Sequence, residues 1–552
     1  MSKLPVSLNE ERKALYRKQG FWGDATLLDY WNMSVRSFAD KTAVVDYQQA
    51  RYTFKELDIA AAKLAGHLKQ LGVEAGDVVS IQVPNWAEFT LIYIASLKVG
   101  AVVNPLMPGY RKAELMHRLG KCRSKVLFTP GVFRGFDHVP LAKELVEELP
   151  DLKQAIIVDK EVRHEATDFP HLSDIISTHT PLTEDVKVSA DDVAIVLFTS
   201  GTESVGKGVM LTHNNMCANM KGYIAMTQLN STDSMLMPVP VGHATGFMYG
   251  ITSPFMMGMT SILLEKFDAE KSLELIAREH CSAIQGPTVI AYDIIRKVME
   301  GTPWDISSLR YFYCGGAPIP KTLVEQAMDL GIHIRGIYGS TESAPHCIVA
   351  PFHPLEKVLT TDGTPVPGTE IKLLDSAGKP VAAWEEGEEY SRGPGVFVGY
   401  VGEPEMTRAA LDEDGWYRSG DLAVMDTDGY IRITGRKKDI IIRGGENISS
   451  VEIEGILMQH PSVDVAVVVA YPDDRLGERA CAYIVLKDSA NDFTMEEMQA
   501  HLSQQGVAKY KWPEHLEIVD SIPRTESGKP QKFKLRDDIK QKLGLTNRYA
   551  LN

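Results

Sequence analysis

Ten residues, Thr199-Ser-Gly-Thr-Glu-Ser-Val-Gly-Lys-Gly208, form the densest group in the chain with chemistry suited to a polyphosphate. Gly201, Gly206 and Gly208 let the backbone approach a ligand closely. The hydroxyls of Thr199, Ser200 and Thr202 add donors, and Lys207 adds a mobile positive charge. Residues 201–207 fit the spacing G-x-x-x-x-G-K of a Walker loop, but Gly208 stands where the Mg²⁺-binding Ser or Thr belongs. A Walker loop also opens directly into a helix. Here apolar runs at 193–198 and 209–211 flank the loop, and a helix cap comes only at Thr212-His-Asn-Asn. The pattern therefore predicts strand, loop, strand: a flexible hairpin over phosphates, or else a plain surface hairpin.

Two more small-residue turns follow apolar runs. Residues 311–314 lead into Gly315-Gly316-Ala317, and residues 333–338 lead into Gly339-Ser-Thr-Glu342. Open α/β sheets bind ligands at such strand ends. The elements around them alternate. A capping box, Thr53-Phe-Lys-Glu56, starts a helix that Gly72 ends. Strands are expected at 78–83, 101–103 and 125–128, with helices at 88–99 and 111–119 between them. The alternation resumes from Ser272, with helices at 273–279 and 321–329. It predicts βαβ units and a largely parallel sheet covered on both faces. From about Thr361 the apolar runs shorten to 370–374, 396–401, 422–425 and 430–434, which predicts a mostly antiparallel β region. Gly435-Arg-Lys-Lys-Asp439 is a charged break before Ile440-Ile-Ile442, and it is the expected domain boundary and hinge. Beyond it, helices at 450–458 and 494–505 and strands at 463–470, 480–486 and 516–519 predict a small α+β domain.

Composition narrows the partners. A chain of 552 residues should form at least two domains. A net charge of −15 argues against nucleic acid and against an anionic membrane surface. Cys122, Cys217, Cys281, Cys314, Cys347 and Cys481 form no C-x-x-C pair, so they are expected to be reduced, as in a cytoplasmic protein. Met-Ser-Lys-Leu-Pro leads into charged residues, so no signal peptide is expected. Residues 244–264 carry no charge but are interrupted by Gly246, Gly250, Pro254 and Gly258. A buried helix followed by a strand, walling an apolar pocket, fits them better than a membrane span.

Five segments together carry a resemblance: residues 199–208, Tyr338-Gly-Ser-Thr-Glu342, Tyr417-Arg-Ser-Gly-Asp421, Gly435-Arg-Lys-Lys-Asp439 and Pro523-Arg-Thr-Glu-Ser-Gly-Lys529. In this order the chain resembles the adenylate-forming superfamily of acyl-CoA synthetases, peptide-synthetase adenylation domains and luciferases. Gly20-Phe-Trp-Gly-Asp24, Gly242-His-Ala-Thr-Gly-Phe247 and residues 338–346 make it most similar to bacterial short- to medium-chain fatty acyl-CoA synthetases. One departure falls in the phosphate loop. Glu203-Ser-Val-Gly-Lys207 replaces the usual Thr-Gly-x-Pro-Lys, which puts backbone contacts from residues 203–206 in doubt.

The resemblance implies an α/β protein with a large N-terminal domain of mixed, mostly parallel sheets plus a β subdomain, residues 1–436. A small, mobile α+β domain, residues 437–552, would follow a hinge near Lys438. It implies ATP, Mg²⁺ and CoA as cofactor and co-substrates, a carboxylic acid as substrate, and two half-reactions through an acyl-adenylate. Residues Thr199, Ser200, Gly201, Thr202 and Lys207 would hold the β- and γ-phosphates. Gly315, Gly316 and Ala317 would lie along the adenine, with Tyr338 stacked on it and Gly339 and Ser340 beside it. Thr341 would bond the α-phosphate and Glu342 would hold Mg²⁺. Asp421 would accept both ribose hydroxyls, and Arg436 would contact ribose or phosphate. Lys529 would bridge the α-phosphate and the attacking carboxylate. Gly444, Gly445 and Glu446 would reach the thioester site after the small domain turns.

The acyl pocket is expected along residues 241–248 and near Gly286 and Pro287. It holds no basic residue for a second carboxylate. His243 would gate it or polarise the acid; a hydrogen-bonded core histidine is the alternative. An alicyclic or aromatic acid, transfer to a separate carrier protein, a P-loop NTPase releasing ADP and a non-catalytic binding protein remain open alternatives. A homo-oligomer is compatible with the chain.

Overall fold

The computed structural model describes residues 4, 9–160, 164, 167–199, 206–317, 319–443, 446–473, 475–487, 492–525 and 528–545. Ser200, Gly201, Thr202, Gly444 and Gly445 lie outside the described residues. The chain forms a large N-terminal lobe and a small C-terminal lobe.

Two sheets build most of the large lobe. In a six-stranded sheet, the central strands run parallel, and one edge closes as an antiparallel pair, β1 (Val193–Phe198) with β2 (Gly208–Thr212). β1 and β2, on either side of residues 199–207, are thus adjacent antiparallel strands, as the flanking apolar runs imply. Thr212 then caps the helix His213–Thr227 in a reciprocal box with Asn215. A nine-stranded sheet carries β3 (Ala283–Gly286), β4 (Tyr311–Gly315) and β5 (His333–Ser340) side by side and parallel. Antiparallel pairs occur only toward its two ends. Consecutive residues in the middle of these parallel strands are buried, so both faces are covered.

The uncharged stretch at 244–264 folds as a π-helix, Gly246–Thr252, a short helix, Ser253–Met257, and a strand, Thr260–Leu263. No helix among the described residues is long and apolar enough to cross a membrane. Gly246 is required there: a Cβ on it would lie 2.2 Å from the Pro240 carbonyl oxygen. A wide π-turn at such a close approach commonly marks a functional wall.

A four-stranded antiparallel sheet holds β6 (Gly387–Arg392), β7 (Tyr417–Met425) and β8 (Ile431–Arg436). Residues 396–401, expected as a strand, are not one. They run beside β2, bonded through Met210 N–H to Gly399 O and Val398 N–H to Met210 O, with a single bridge between Val209 and Tyr400. Gly399, Gly402 and the bend at 395–396 break the ladder before a strand can form. The expectation also omitted β6 and the first half of β7, whose Tyr417-Arg-Ser-Gly-Asp421 lacks the apolar alternation of a strand.

After Arg436, a single 3₁₀ turn, Lys437–Asp439, leads into Ile440–Arg443, the first strand of the small lobe's five-stranded sheet. Both faces of that sheet are covered. Ile453, Leu457, Met498 and Leu502 pack on one side from two helices. Leu535 and Ile539 of Lys532–Lys542, a helix absent from the sequence reading, pack on the other. A core of its own is what a separate domain needs.

Candidate active site

The C-terminal ends of β3, β4 and β5 open onto one cavity of about 710 Å³. Gly286 ends β3 and Pro287 follows it, Gly315 ends β4 and Gly316 follows it, and Gly339 and Ser340 end β5 ahead of Thr341 and Glu342; all line it. Thr199 and Lys207 enter from the neck of the phosphate loop. The neck closes through Thr199 N–H to Lys207 O, 2.9 Å, and Lys207 N–H to Thr199 Oγ1, 3.1 Å. Asp421, Arg436 and Lys438 line a further side, with Lys529 from the small lobe. Segments far apart in sequence meet here because the parallel strands β3, β4 and β5 end at the same edge and the other lining residues close over it.

Lys529 reaches deep into this chamber. A Cβ on Gly316 would lie 3.0 Å from Lys529 Cε and 3.7 Å from its Nζ, and Gly316 itself has φ of +83°. Glycine is thus required at 316 both for its backbone conformation and for the lysine's path. The loop that carries Lys529 rests on the large lobe: a Cβ on Gly528 would lie 3.3 Å from Pro287 Cγ. Burial lowers the Lys529 ammonium to about 8, helped by the Arg436 charge and opposed by Asp421 and Glu342. His243 is lowered to about 3 by burial and then by the Lys529 charge, so it is neutral. Its Nδ1 accepts from Thr245 N–H at 3.2 Å, which leaves the ring proton on Nε2.

The carboxylates are held by partners. Asp421 Oδ1 pairs with Arg436 Nε at 2.9 Å, and its Oδ2 accepts from the Tyr338 hydroxyl at 2.9 Å. Glu342 Oε1 accepts from the Tyr400 hydroxyl at 2.8 Å, and Lys207 Nζ sits 5.1 Å from the centre of the Tyr400 ring. Burial and the Glu342 charge keep the Tyr400 phenol protonated. Behind Tyr338 lie His346 and Glu389, both fully buried, with Nδ1 and Oε1 3.3 Å apart. Glu389 Oε2 also accepts from the Tyr338 hydroxyl at 3.3 Å.

Among the described candidates, Thr199, Lys207, His243, Gly315, Gly316, Gly339, Ser340, Thr341, Glu342, Asp421, Arg436 and Lys529 share the cavity wall. Tyr338 and Ala317 are not part of that lining. Tyr338 packs its ring against His346, with centroids 5.0 Å apart, and meets the site through its hydroxyl. Glu446 is exposed on the strand Glu446–Ser449 of the small lobe and does not reach the cavity. Sequence reasoning missed Tyr400, His346 and Glu389. Adjacent Glu388 and Glu389 in a strand were a usable signal, because alternation must turn one of the two inward.

The AMP-binding enzyme family matches residues 31–401, and its C-terminal domain matches residues 452–529. The chain belongs to the AMP-binding enzyme family. A medium-chain fatty-acid–CoA ligase of Escherichia coli is 50% identical over 98% of this chain and 95% of its own length. A 2,3-dihydroxybenzoate–AMP ligase of Bacillus subtilis is 30% identical over 97% of each. Among solved structures, ATP-bound MatB from Rhodopseudomonas palustris superposes with a TM-score of 0.83 at 25% identity, covering 94% of this chain and 99% of that one. This AMP-binding enzyme thus matches its relatives across both lobes.

Proposed function

We propose that this AMP-binding enzyme joins a short- to medium-chain fatty acid to CoA at the expense of ATP, through an acyl-adenylate. The observation that carries the reading is Lys529 of the small lobe laid against Gly316, in the chamber that also holds Glu342, Asp421 and Arg436. The E. coli relative, named as a medium-chain fatty-acid–CoA ligase, supports the choice of acid. So does the wall of Val239, Ala244, Met248 and Ile337, which offers an apolar surface.

In the first half-reaction a carboxylate oxygen attacks the α-phosphorus of ATP. The bond from that phosphorus to the bridging oxygen breaks, and pyrophosphate leaves. The acid is ionised at neutral pH, so no general base is needed. What the step needs is positive charge and donors where negative charge collects. Lys529 supplies the charge between carboxylate and α-phosphate. His243, neutral with its proton on Nε2, supplies a donor without adding charge. Thr341 bonds the α-phosphate, and Thr199, Lys207 and the loop residues 200–202 hold the outer phosphates. Asp421 retains lone pairs beyond those used by Arg436 and Tyr338, enough for two ribose hydroxyls.

Mg²⁺ fits as an ion carried in on the triphosphate. No group of three His, Cys, Asp or Glu side chains among the described residues forms a metal cage. Glu342 has one oxygen on Tyr400 and none of the described residues on the other, and a single carboxylate with phosphates is an ordinary magnesium environment. When bound, the ion neutralises charge on the phosphates.

In the second half-reaction the CoA thiol attacks the acyl carbonyl and AMP leaves. Lys529 now occupies space that the thiol's route needs, so the small domain, residues 437–552, turns about Lys438 and withdraws it. In this reading Gly444, Gly445 and Glu446 contribute to the thioester site in the second half-reaction. Six buried free cysteines suit a reducing, cytoplasmic setting.

The test is product analysis with ATP, Mg²⁺, CoA and a panel of acids from acetate to palmitate, plus benzoate and cyclohexanecarboxylate. AMP, pyrophosphate and an acyl-CoA are expected, with the best turnover at medium length. ADP as product would overturn the reading, and turnover confined to benzoate would overturn the choice of acid.

A further inference from the structure

The acyl end of the cavity holds two hydrogen-bond donors that no described residue meets. Gln285 is 3% exposed and Tyr249 is 4% exposed, and both line the cavity. Gln285 sits near the end of β3, and Tyr249 sits on the π-helix Gly246–Thr252. Tyr223 lies between them. Its hydroxyl donates to Gln285 Oε1 at 2.9 Å, and its ring packs on Tyr249 with centroids 4.6 Å apart. The opposite amide orientation would leave the Tyr223 proton without an acceptor, so Gln285 Nε2 is the atom turned away from Tyr223. None of the described residues accepts from that nitrogen or bonds the Tyr249 hydroxyl. Neither atom is sealed in packing; each keeps contact with the cavity. Burial holds the Tyr249 phenol protonated, hence a donor.

Such donors are costly beside a saturated chain. An alkyl group that reached them would displace their water and return no hydrogen bond. Val239, Ala244, Met248 and Ile337 of the same lining have no side-chain polar group to offer in exchange. A carbonyl oxygen carries two lone pairs and can accept from both donors at once; a hydroxyl oxygen can do nearly as well. No cation stands among them, so a second carboxylate is not the group they suit.

We propose that Tyr249 and Gln285 form a polar subsite that selects acids bearing an oxo or hydroxyl oxygen on the chain over the plain alkanoic acid. This rests on the acid–CoA ligase reading and names its substrate class more closely.

The test uses the full-length enzyme with ATP, Mg²⁺ and CoA, and follows pyrophosphate release. Octanoate is compared with oxo- and hydroxyoctanoates whose oxygen is moved along the chain. At one position kcat/KM should exceed that of octanoate by about tenfold, the worth of one or two recovered hydrogen bonds. Tyr249→Phe, which removes only the hydroxyl, should narrow that ratio several-fold. Gln285→Glu, which keeps an acceptor for Tyr223 but takes the donor away, should narrow it further. Octanoate matching or beating the oxygenated acid at every position would overturn the subsite, as would a ratio that Tyr249→Phe leaves unchanged. Loss of pyrophosphate release with every acid would instead sink the ligase reading beneath it.

Discussion

The two ends of the cavity treat polar groups in opposite ways. At the nucleotide end each buried carboxylate has a partner already in place: Asp421 holds Arg436 and Tyr338, Glu342 holds Tyr400, and Glu388 holds Arg418 and Lys437. At the acyl end, the Tyr249 hydroxyl and Gln285 Nε2 have none among the described residues, although Gln285 Oε1 accepts from Tyr223. The contrast follows from charge. A buried carboxylate left unpaired is expensive, so it must be compensated before any ligand arrives. A neutral donor can be served by water and released to a substrate at small cost. On the proposed function, the nucleotide end is therefore preorganised for one invariant ligand, whereas the acyl end keeps its choice open.

The comparison can be broken most forcefully at Lys529. Lys529→Ala should cut acyl-adenylate formation by about 10²–10³-fold, the scale of losing one charge-stabilising group at a reacting centre. Thioester formation from supplied acyl-AMP should change far less, as single-turnover assays of each half would reveal. Equal loss in both halves would remove Lys529 from its assigned role.

A smaller effect concerns pH. In the proposed first half-reaction Lys529 acts as an ammonium, and its value in the folded protein is lowered to about 8. The active form is therefore complete below that value and is lost as pH rises through it. For the first half-reaction, kcat/KM should fall about tenfold from about pH 7 to about pH 9. Lys529→Arg, which stays charged throughout, should abolish this alkaline limb. His243, lowered to about 3, should add no acidic limb near neutrality.

Asp421→Asn should act more mildly still. It keeps an acceptor for ribose but frees Arg436 from its charge partner. KM for ATP should rise about tenfold with kcat less affected, because the ribose contact is made equally before and during reaction. A change confined to kcat would place Asp421 elsewhere in the mechanism.

Much of this was legible in the sequence for physical reasons. Alternating apolar runs and capping boxes such as Thr53–Glu56 and Thr212–Asn215 announce helices and strands locally, and parallel strands with small-residue ends announce a ligand edge. The antiparallel pairing of β1 and β2 was legible too, because Gly208 leads into an apolar strand and not a helix. What stayed hidden depends on tertiary approach. Residues 396–401 look like a strand but lie beside β2 through scattered bonds, and this places Tyr400 on Glu342. The contacts of Tyr338, expected as a stacking ring, were hidden too: its hydroxyl meets Asp421 and Glu389, and its ring packs on His346. Neither the pairing of Glu389 with His346 nor the isolation of Tyr249 can be seen before the chain is folded, since both depend on distant segments.

The central claim is that an acid oxygen becomes bonded to the α-phosphorus inside this chamber. Its most direct measurement is a single-turnover reaction with ¹⁸O-labelled carboxylate, ATP and CoA, followed by mass analysis of the products. One labelled oxygen per AMP is predicted, with none in pyrophosphate; unlabelled AMP, or label in pyrophosphate or inorganic phosphate, would contradict the account.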